Sequence, residues 1–450
     1  MKQLLMGAVL ASFATLTSAQ SVDLSQAVEM ALKADHRIAE KEHLVDAARA
    51  LIDQAQASDD LMVDMNLFVG LAPVVEGGIF EGGAESCVSP CKLRDDLYEF
   101  DEVTGWASLQ LKLIKPLATF GKVRYYTEAA EGNVEVKKSE VREQRIETIY
   151  DTSRAYYGYL TARDSHLLLE DVKRRLEKAK ALVERWLEED KGDVKQSDLY
   201  ALETGMALLN KYLAEAKSVE RIALAGLKVM TGVGIDGELS VADKSLSAEA
   251  LPQDSLADLQ QRALANRPEM DQLKAGLEAR RALVAAKKSE SNPNLYAGIV
   301  GTFAYAPGRD TLDNPYTVDP FNHVAATPVV GLKWDMQGGV TSAKTSRAQA
   351  ELDALISKSA FAQQGIPFDV AEKYHELQAL HSAVEELGKG SRSGRRWMVS
   401  SYADFEAGLE EADKVLDAFK TYVLTHADYL SSVNDYNMKI IELNRATGAY

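Results

Sequence analysis

Between Pro116 and Pro252 the chain contains no proline, and that absence constrains the fold more than any other feature of the 450 residues. From Gly121 to Gly232 apolar residues recur at alternating spacings of three and four. Leu168, Val172, Leu176, Ala179, Val183 and Trp186 make one seam; Leu202, Met206, Leu209, Leu213, Ala216 and Val219 make a second. That spacing keeps an apolar stripe on one side of a helix and suits helix-on-helix packing. Glu188-Glu189-Asp190-Lys191-Gly192-Asp193 separates the seams as a polar turn, with a glycine able to take positive φ. The stretch therefore predicts two long helices folded back on each other, the first from about Gly121 to about Asp190. At 1.5 Å per residue such a helix is roughly 100 Å long. No ordinary globular core is that deep, so these helices need partners along a tube or bundle.

Residues 1–19 have the order of a secretory signal. Lys2 supplies the positive start, Leu4 to Leu16 the apolar run, and Thr17-Ser18-Ala19 a small-residue cleavage site. No later stretch approaches the 18 or so unbroken apolar residues of a membrane helix, so an exported chain of this kind enters a membrane only with strands. The net charge of −17 excludes a basic nucleic-acid footprint. It fits plain solubility, and equally a water-filled passage that favours cations. Cys87 and Cys91 stand four apart in a Gly-rich loop. In an exported protein they are expected to form a local disulfide; a two-cysteine metal site is the alternative, without a histidine nearby.

In chain order, Leu24 to Ala57 has helical periodicity. Val63, Met65, Leu67 and Val69 then alternate with Asp64, Asn66 and Phe68, which is strand spacing over about 61–69. Residues 70–102 carry Gly-Gly pairs, two prolines and both cysteines, and are expected as loop. A second alternating run over about 104–114 sets Ala107, Leu109, Leu111 and Leu113 against Trp106, Ser108, Gln110 and Lys112, until Pro116 and Gly121 break it. After a polar connector at 235–254 the order returns: a helix from Leu256 to Ser289, a strand at about 294–304, a loop, a strand at about 326–334, and a helix opened by Gly338-Gly339. Pro367 and glycines 388, 390 and 394 are expected to interrupt that helix. Gly408 turns the chain into a last helix. Gly192 to Gly232 and Gly408 to Gly448 are both 40 positions, and Leu227 with Thr231-Gly232 recurs as Leu443 with Thr447-Gly448. The chain is an internal repeat, 20–234 and 255–450, each half helix, strand, loop, strand, long helix, glycine turn, helix.

Four strands cannot close a barrel, and an open sheet in lipid would leave unpaired edges. Several identical chains, each giving four strands to one barrel, resolve the conflict. Asp64, Asn66, Ser108, Gln110, Lys112 and Lys333 are then expected to face the pore. A soluble sheet half exposed to water fits the alternation equally well.

Asn266-Arg267-Pro268-Glu269-Met270, Lys115-Pro116-Leu117-Ala118-Thr119-Phe120-Gly121-Lys122, Asp335-Met336-Gln337-Gly338-Gly339 and Leu443-Asn444-Arg445-Ala446-Thr447-Gly448 resemble, in order, motifs of the TolC-like outer-membrane efflux proteins. Gly192 with Asp198-Leu199, and Gly408 with Val415-Leu416-Asp417-Ala418, resemble that family's helix-tip turns. The likeness spans nearly all of the mature chain. It implies a mainly α fold with a transmembrane β part: a homotrimer with a shared twelve-stranded barrel in outer-membrane lipid and a long periplasmic α-helical barrel. Such a protein is an exit duct of a tripartite efflux pump or type I secretion system in a Gram-negative bacterium. It works with a periplasmic adaptor (membrane fusion) protein and an inner-membrane transporter, and does no chemistry of its own. The resemblance places an acidic periplasmic gate at Asp417. A second family aspartate falls on Lys414, with Asp413 one position earlier; adaptor docking falls near Gly192, Asp198, Gly408 and Val415. No cofactor, metal or nucleic acid is implied. Gly232-Val233-Gly234-Ile235-Asp236-Gly237 fits a dinucleotide glycine pattern but follows a helix rather than a strand. The seven histidines form no close ligand pair in sequence. The competing reading is a secreted or periplasmic coiled-coil structural or adhesion protein without channel activity.

Overall fold

The computed structural model describes residues 20–81, 92–191, 194–312, 318–336 and 338–450. The signal-peptide reading of 1–19, the Cys87–Cys91 pairing and Gly192 lie outside the described residues. The elements run β1 (Gln20–Val22), α1 (Leu24–Ala34), α2 (His36–Ala57), β2 (Met62–Pro73), β3 (Val103–Ala118), α3 (Lys122–Glu188), α4 (Gln196–Met230), β4 (Leu239–Val241), α5 (Leu256–Asn266), α6 (Pro268–Ser289), β5 (Asn294–Tyr305), β6 (His323–Lys333), α7 (Gly338–Glu406) and α8 (Ala412–Thr447). They fall into two compact units. One gathers Met1–Leu44, Lys137–Leu273 and Lys358–Tyr450; the other gathers Val45–Val136 and Lys274–Ser357.

In the first unit both seams meet a common core. Leu168, Val172, Leu176, Ala179 and Val183 of α3 are buried with Leu202 and Leu209 of α4, and with Met398, Phe405, Val415 and Phe419 of α7 and α8. Val219 departs from expectation, being 54% exposed. A straight helix has 3.6 residues per turn, so a strict 3.5-residue stripe drifts off the contact, and by Leu227 the buried position has moved round. Leu208, Tyr212, Ile222 and Val229 join Val219 as exposed apolar residues of α4.

Three further expectations need correction. The stretch 24–57 breaks at Asp35, whose carboxylate accepts from Arg37 N at 2.9 Å and from Thr148 Oγ1 at 2.6 Å. The stretch 256–289 breaks at Arg267, because Pro268 disfavours helix at the residue before it and suits the first position of the next. Conversely, α7 runs unbroken through Pro367 and its glycines. Ile366 and Val370, on either side of the proline, are buried, so packing outweighs the lost hydrogen bond. Gly388, Gly390 and Gly394 lie against Tyr429, Thr425 and Tyr422 of α8, where small residues permit close approach. A short parallel pair, β1 with β4, was not legible: three residues are too few to show alternation. The connector after β4 is strapped down by side chains. Asp164 accepts from Leu246 N at 2.7 Å, Tyr156 donates to Asp243 at 2.7 Å, and Asn437 holds Glu249 N at 3.0 Å.

The matched glycines of the repeat acquire a reason. Gly232 has φ +74, and a Cβ there would stand 2.4 Å from Ala34 Cβ, at the α1–α2 break. Gly448 has φ +65, and its Cβ would stand 2.7 Å from the carbonyl carbon of Asn266, at the α5–α6 break. Each half thus seats the end of its closing helix on the kink of its opening helix. Gly232→Ala is expected to cost about 2 kcal/mol, from left-handed backbone strain and the clash together. Equilibrium denaturation reads it, with Gly226→Ala, which has open space and no positive φ, as the mild comparison.

The second unit holds an antiparallel sheet of order β2-β3-β5-β6, with β2 and β6 at its edges. Pro116 does not end β3. The strand continues to Ala118 through an irregularity between Pro116 and Ala118, opposite Tyr296 and Leu295. β2 pairs only as far as Ile114, so the missing amide of Pro116 costs no ladder bond on that side. β6 begins at His323, three residues before the expected start.

Candidate functional site

The sheet register sorts every strand residue onto one of two faces, because directly paired residues share a side. Asp64 stands opposite Lys112 and Asn66 opposite Gln110, while Phe68 pairs with Ser108. Lys112 and Gln110 continue to Val300 and Thr302 of β5, and Asn294 of the same parity pairs with Lys333. All six residues expected at the pore therefore fall on one face. The other face is apolar across all four strands except for Lys115, which pairs with Ala297 near the helix end. One row reads Leu67, Leu109, Phe303, Val324; another reads Val63, Leu113, Ile299, Pro328. Leu67 is 68% exposed and Val324 78%, with no element among the described residues over them.

At the end of the sheet away from the strand starts of α3 and α7, the loops are tied by one buried cation. The Arg309 side chain is fully buried, as is that of Asp319. Its Nε donates to both Asp319 oxygens, at 3.2 and 2.9 Å, and its Nη1 to the carbonyls of Pro73 and Leu97, at 3.2 and 2.8 Å. The rings of Phe321 and Tyr98 stack on the guanidinium at 5.0 and 5.6 Å, and Phe321 meets Trp106 edge-on at 5.7 Å. This cluster joins the β2–β3 connection to the β5–β6 connection. Sequence reading missed it, since an Arg and an Asp ten positions apart in a proline-containing loop look solvated.

A second unforeseen cluster sits where α6 leads to β5. Glu290 accepts from Tyr126 at 2.5 Å, Lys287 at 2.8 Å and Lys344 at 3.2 Å. Burial acts against ionisation, but the hydrogen bonds of Lys287, Tyr126 and Lys344 outweigh it and hold the Glu290 carboxyl down at about 2. A depressed carboxyl stabilises the fold above its unfolded pKa and loses that contribution as pH falls through the folded value. Glu290→Gln is accordingly expected to cost about 1–2 kcal/mol near neutrality. The gap between the variant and the parent should close between about pH 5 and pH 2 in denaturation curves.

At the helix turns, Gly408 has φ +75 and closes α7 with Gly408 N to Phe405 O at 2.9 Å and Leu409 N to Asp404 O at 2.8 Å. Asp198 accepts from Lys195 N at 2.8 Å and so caps α4. Val415 is fully buried in the core beneath the turn, so its side chain braces the tip and offers no surface to a partner. Asp413 and Asp417 are both exposed and one helical turn apart on α8. Lys414, which takes the family's aspartate position, is exposed as well. Among the described residues no group of three His, Cys, Asp or Glu side chains could hold a metal ion, and no helix is long and apolar enough to cross a membrane.

A four-stranded antiparallel sheet with an exposed apolar face, and long helices ending in glycine turns, are each supplied by both halves of the repeat. The sequence matches the outer membrane efflux protein family over residues 27–189 and 259–449, and the chain belongs to that family. Solved structures share the fold. The outer-membrane channel OprN superposes with a TM-score of 0.74 at 16% identity, covering 95% of this chain and 90% of that one. CusC, described by its transmembrane channel formation, gives 0.74 at 17% identity, with 96% and 95% covered. The open MtrE channel of Neisseria gonorrhoeae gives 0.71 at 18% identity, with 94% and 88% covered. Compared by sequence with curated proteins, the chain matches none. It is thus an outer-membrane efflux protein of the TolC-like kind, resident in the outer membrane of a Gram-negative cell with a large periplasmic helical portion. Nothing supports the alternative of a coiled-coil structural or adhesion protein.

Proposed function

We propose that three copies of the chain complete a twelve-stranded barrel and act as the passive exit duct of a tripartite efflux pump or type I secretion system. One observation carries this reading: a sheet with two edges unpaired among the described residues, whose one face is apolar and exposed except for Lys115 near its helix end, and whose other face carries Asp64, Asn66, Ser108, Gln110, Lys112 and Lys333. Water would penalise the first face and lipid would penalise the edges, and closure with identical copies removes both costs. The polar face with Asp64, Asn66, Gln110, Lys112 and Lys333 then lines the lumen. The exposed stripe of α4 from Leu208 to Val229 then meets helices of a neighbouring copy. The duct does no chemistry; an inner-membrane transporter supplies the energy, and a periplasmic adaptor docks around Gly192, Asp198 and Gly408. Asp417 forms an acidic ring about the axis, while Asp413, one turn before it, is rotated by about 100° from the family's second aspartate position, which Lys414 holds. Carboxylates crowded in this way repel unless a cation intervenes.

Planar-bilayer recording tests the reading. The purified protein should conduct, and a trivalent cation should block it. Asp417→Asn should weaken that block at least about tenfold, one charge-assisted contact per copy being lost. A protein that never conducts contradicts the duct, and a block indifferent to Asp417 contradicts the gate.

A further inference from the structure

On the polar face, at the helix end of the sheet, the second unit holds a cavity of about 1130 Å³. All four strands contribute to it, together with α2 and α3. Its charged lining consists of Lys112, Lys122 and Lys333, and no carboxylate lines it. That is a local reversal in a chain of net charge −17. The carboxylates around these lysines stand outside the lining, and among the described residues only Asp335 is within ion-pair distance of one of them. Asp64, across the strand from Lys112, accepts from Asn66 at 2.7 Å. Glu290 takes Lys287, Tyr126 and Lys344. Asp335 stands 4.0 Å from Lys333, with both side chains largely exposed, which makes a weak pair. Lys122 is held in place by Asn292 O at 2.7 Å and Asn294 Oδ1 at 2.9 Å. The rest of the wall is apolar or aromatic, with Leu51, Met62, Ile114, Val123, Tyr126 and Tyr296 among its residues.

We propose that this cavity is a substrate-recognition site of the duct for amphipathic anions: a carboxylate, sulfonate or phosphate head on an apolar or aromatic body. Three lysines and no carboxylate in one lining leave the wall positively charged, and that charge draws an anion. An apolar wall with few convergent polar groups takes the body of such a molecule, and the volume exceeds what one small ligand needs. An inorganic anion alone would leave the apolar wall wet, and an amphipathic cation would meet like charge. The inference deepens the duct reading and rests on it: the site lies on the face that the duct turns to its lumen, so it selects among molecules in transit.

The test uses the full-length mature protein in lipid nanodiscs, with empty nanodiscs as reference, and isothermal titration with two probes of matched body and opposite charge. Naphthalene-2-sulfonate should bind, and 2-naphthylmethylammonium should bind at least about tenfold more weakly, the difference that loss of a charge-assisted contact commonly makes. Lys112→Gln with Lys333→Gln should raise the sulfonate Kd at least about tenfold, and the Lys→Arg pair should restore it. Should the double variant fail to assemble, Lys333→Gln alone, at a side chain 68% exposed, should still raise Kd about threefold. Equal binding of the two probes, no sulfonate binding by the parent protein, or a Kd unmoved by the lysine changes would overturn the site. Conductance plays no part in these readings, so a site that fails here leaves the duct standing, and a duct that fails in planar bilayers is recognised separately.

Discussion

Asp319→Ala is expected to destabilise the protein by about 3–5 kcal/mol, because it strands a fully buried guanidinium whose charge has no other counter-ion in contact among the described residues. Arg309 would keep the carbonyls of Pro73 and Leu97 and the faces of Phe321 and Tyr98, but these do not neutralise it. Asp319 also accepts from Phe321 N at 3.1 Å, so the turn beneath the ring loosens too. The sign of the effect follows from the unpaired charge and not from the worth of the pair. Arg309→Met combined with Asp319→Leu, which removes both charges and keeps apolar volume, should therefore cost markedly less than Asp319→Ala alone. Denaturant unfolding of the protein folded into lipid vesicles measures both. Equal losses for the single and the double change would show that shape, and not charge, holds the two connections together.

The second large effect separates the faces of the sheet. Leu109→Lys is expected to cost about 2–4 kcal/mol, the penalty for a lysine on the lipid side near the bilayer midplane. Leu109 lies mid-strand in the row Leu67, Leu109, Phe303, Val324. Gln110→Lys, one residue further, should fall within about 0.5 kcal/mol of the parent, since its neighbours in register are Asn66 and Thr302 on a wet face. The two changes add the same charge and differ only in the side from which it projects. If both cost the same, the apolar face does not meet lipid.

The strands and the helical hairpins were legible because their signals are periodic. Alternation in Val63 to Val69 fixed the face of Asp64 and Asn66, and the three-four spacing from Leu168 to Val183 fixed the buried side of α3. The equal spacing of Gly232 and Gly448 from their hairpin turns was visible as number; its cause, contact with Ala34 and Asn266, needed three dimensions. What escaped was decided by tertiary packing. Pro367 was expected to break α7, yet its buried neighbours Ile366 and Val370 hold the helix straight through it. Val219 obeyed the stripe but not the drift of a straight helix. Arg309, Asp319 and Glu290 are charged residues that composition assigns to the surface, and only their partners show them to be organising centres. Val415 matched a tip motif and turned out to be core, because a motif records which residues recur and not which way they face.

Native mass spectrometry of the protein extracted from outer membranes decides whether the two strand edges, β2 and β6, are joined by other copies of the same chain. A particle of three chains is expected, held together until the lipid or detergent shell is stripped under conditions that also unfold the strands. A stable single chain in plain aqueous buffer, with its sheet intact, would contradict it.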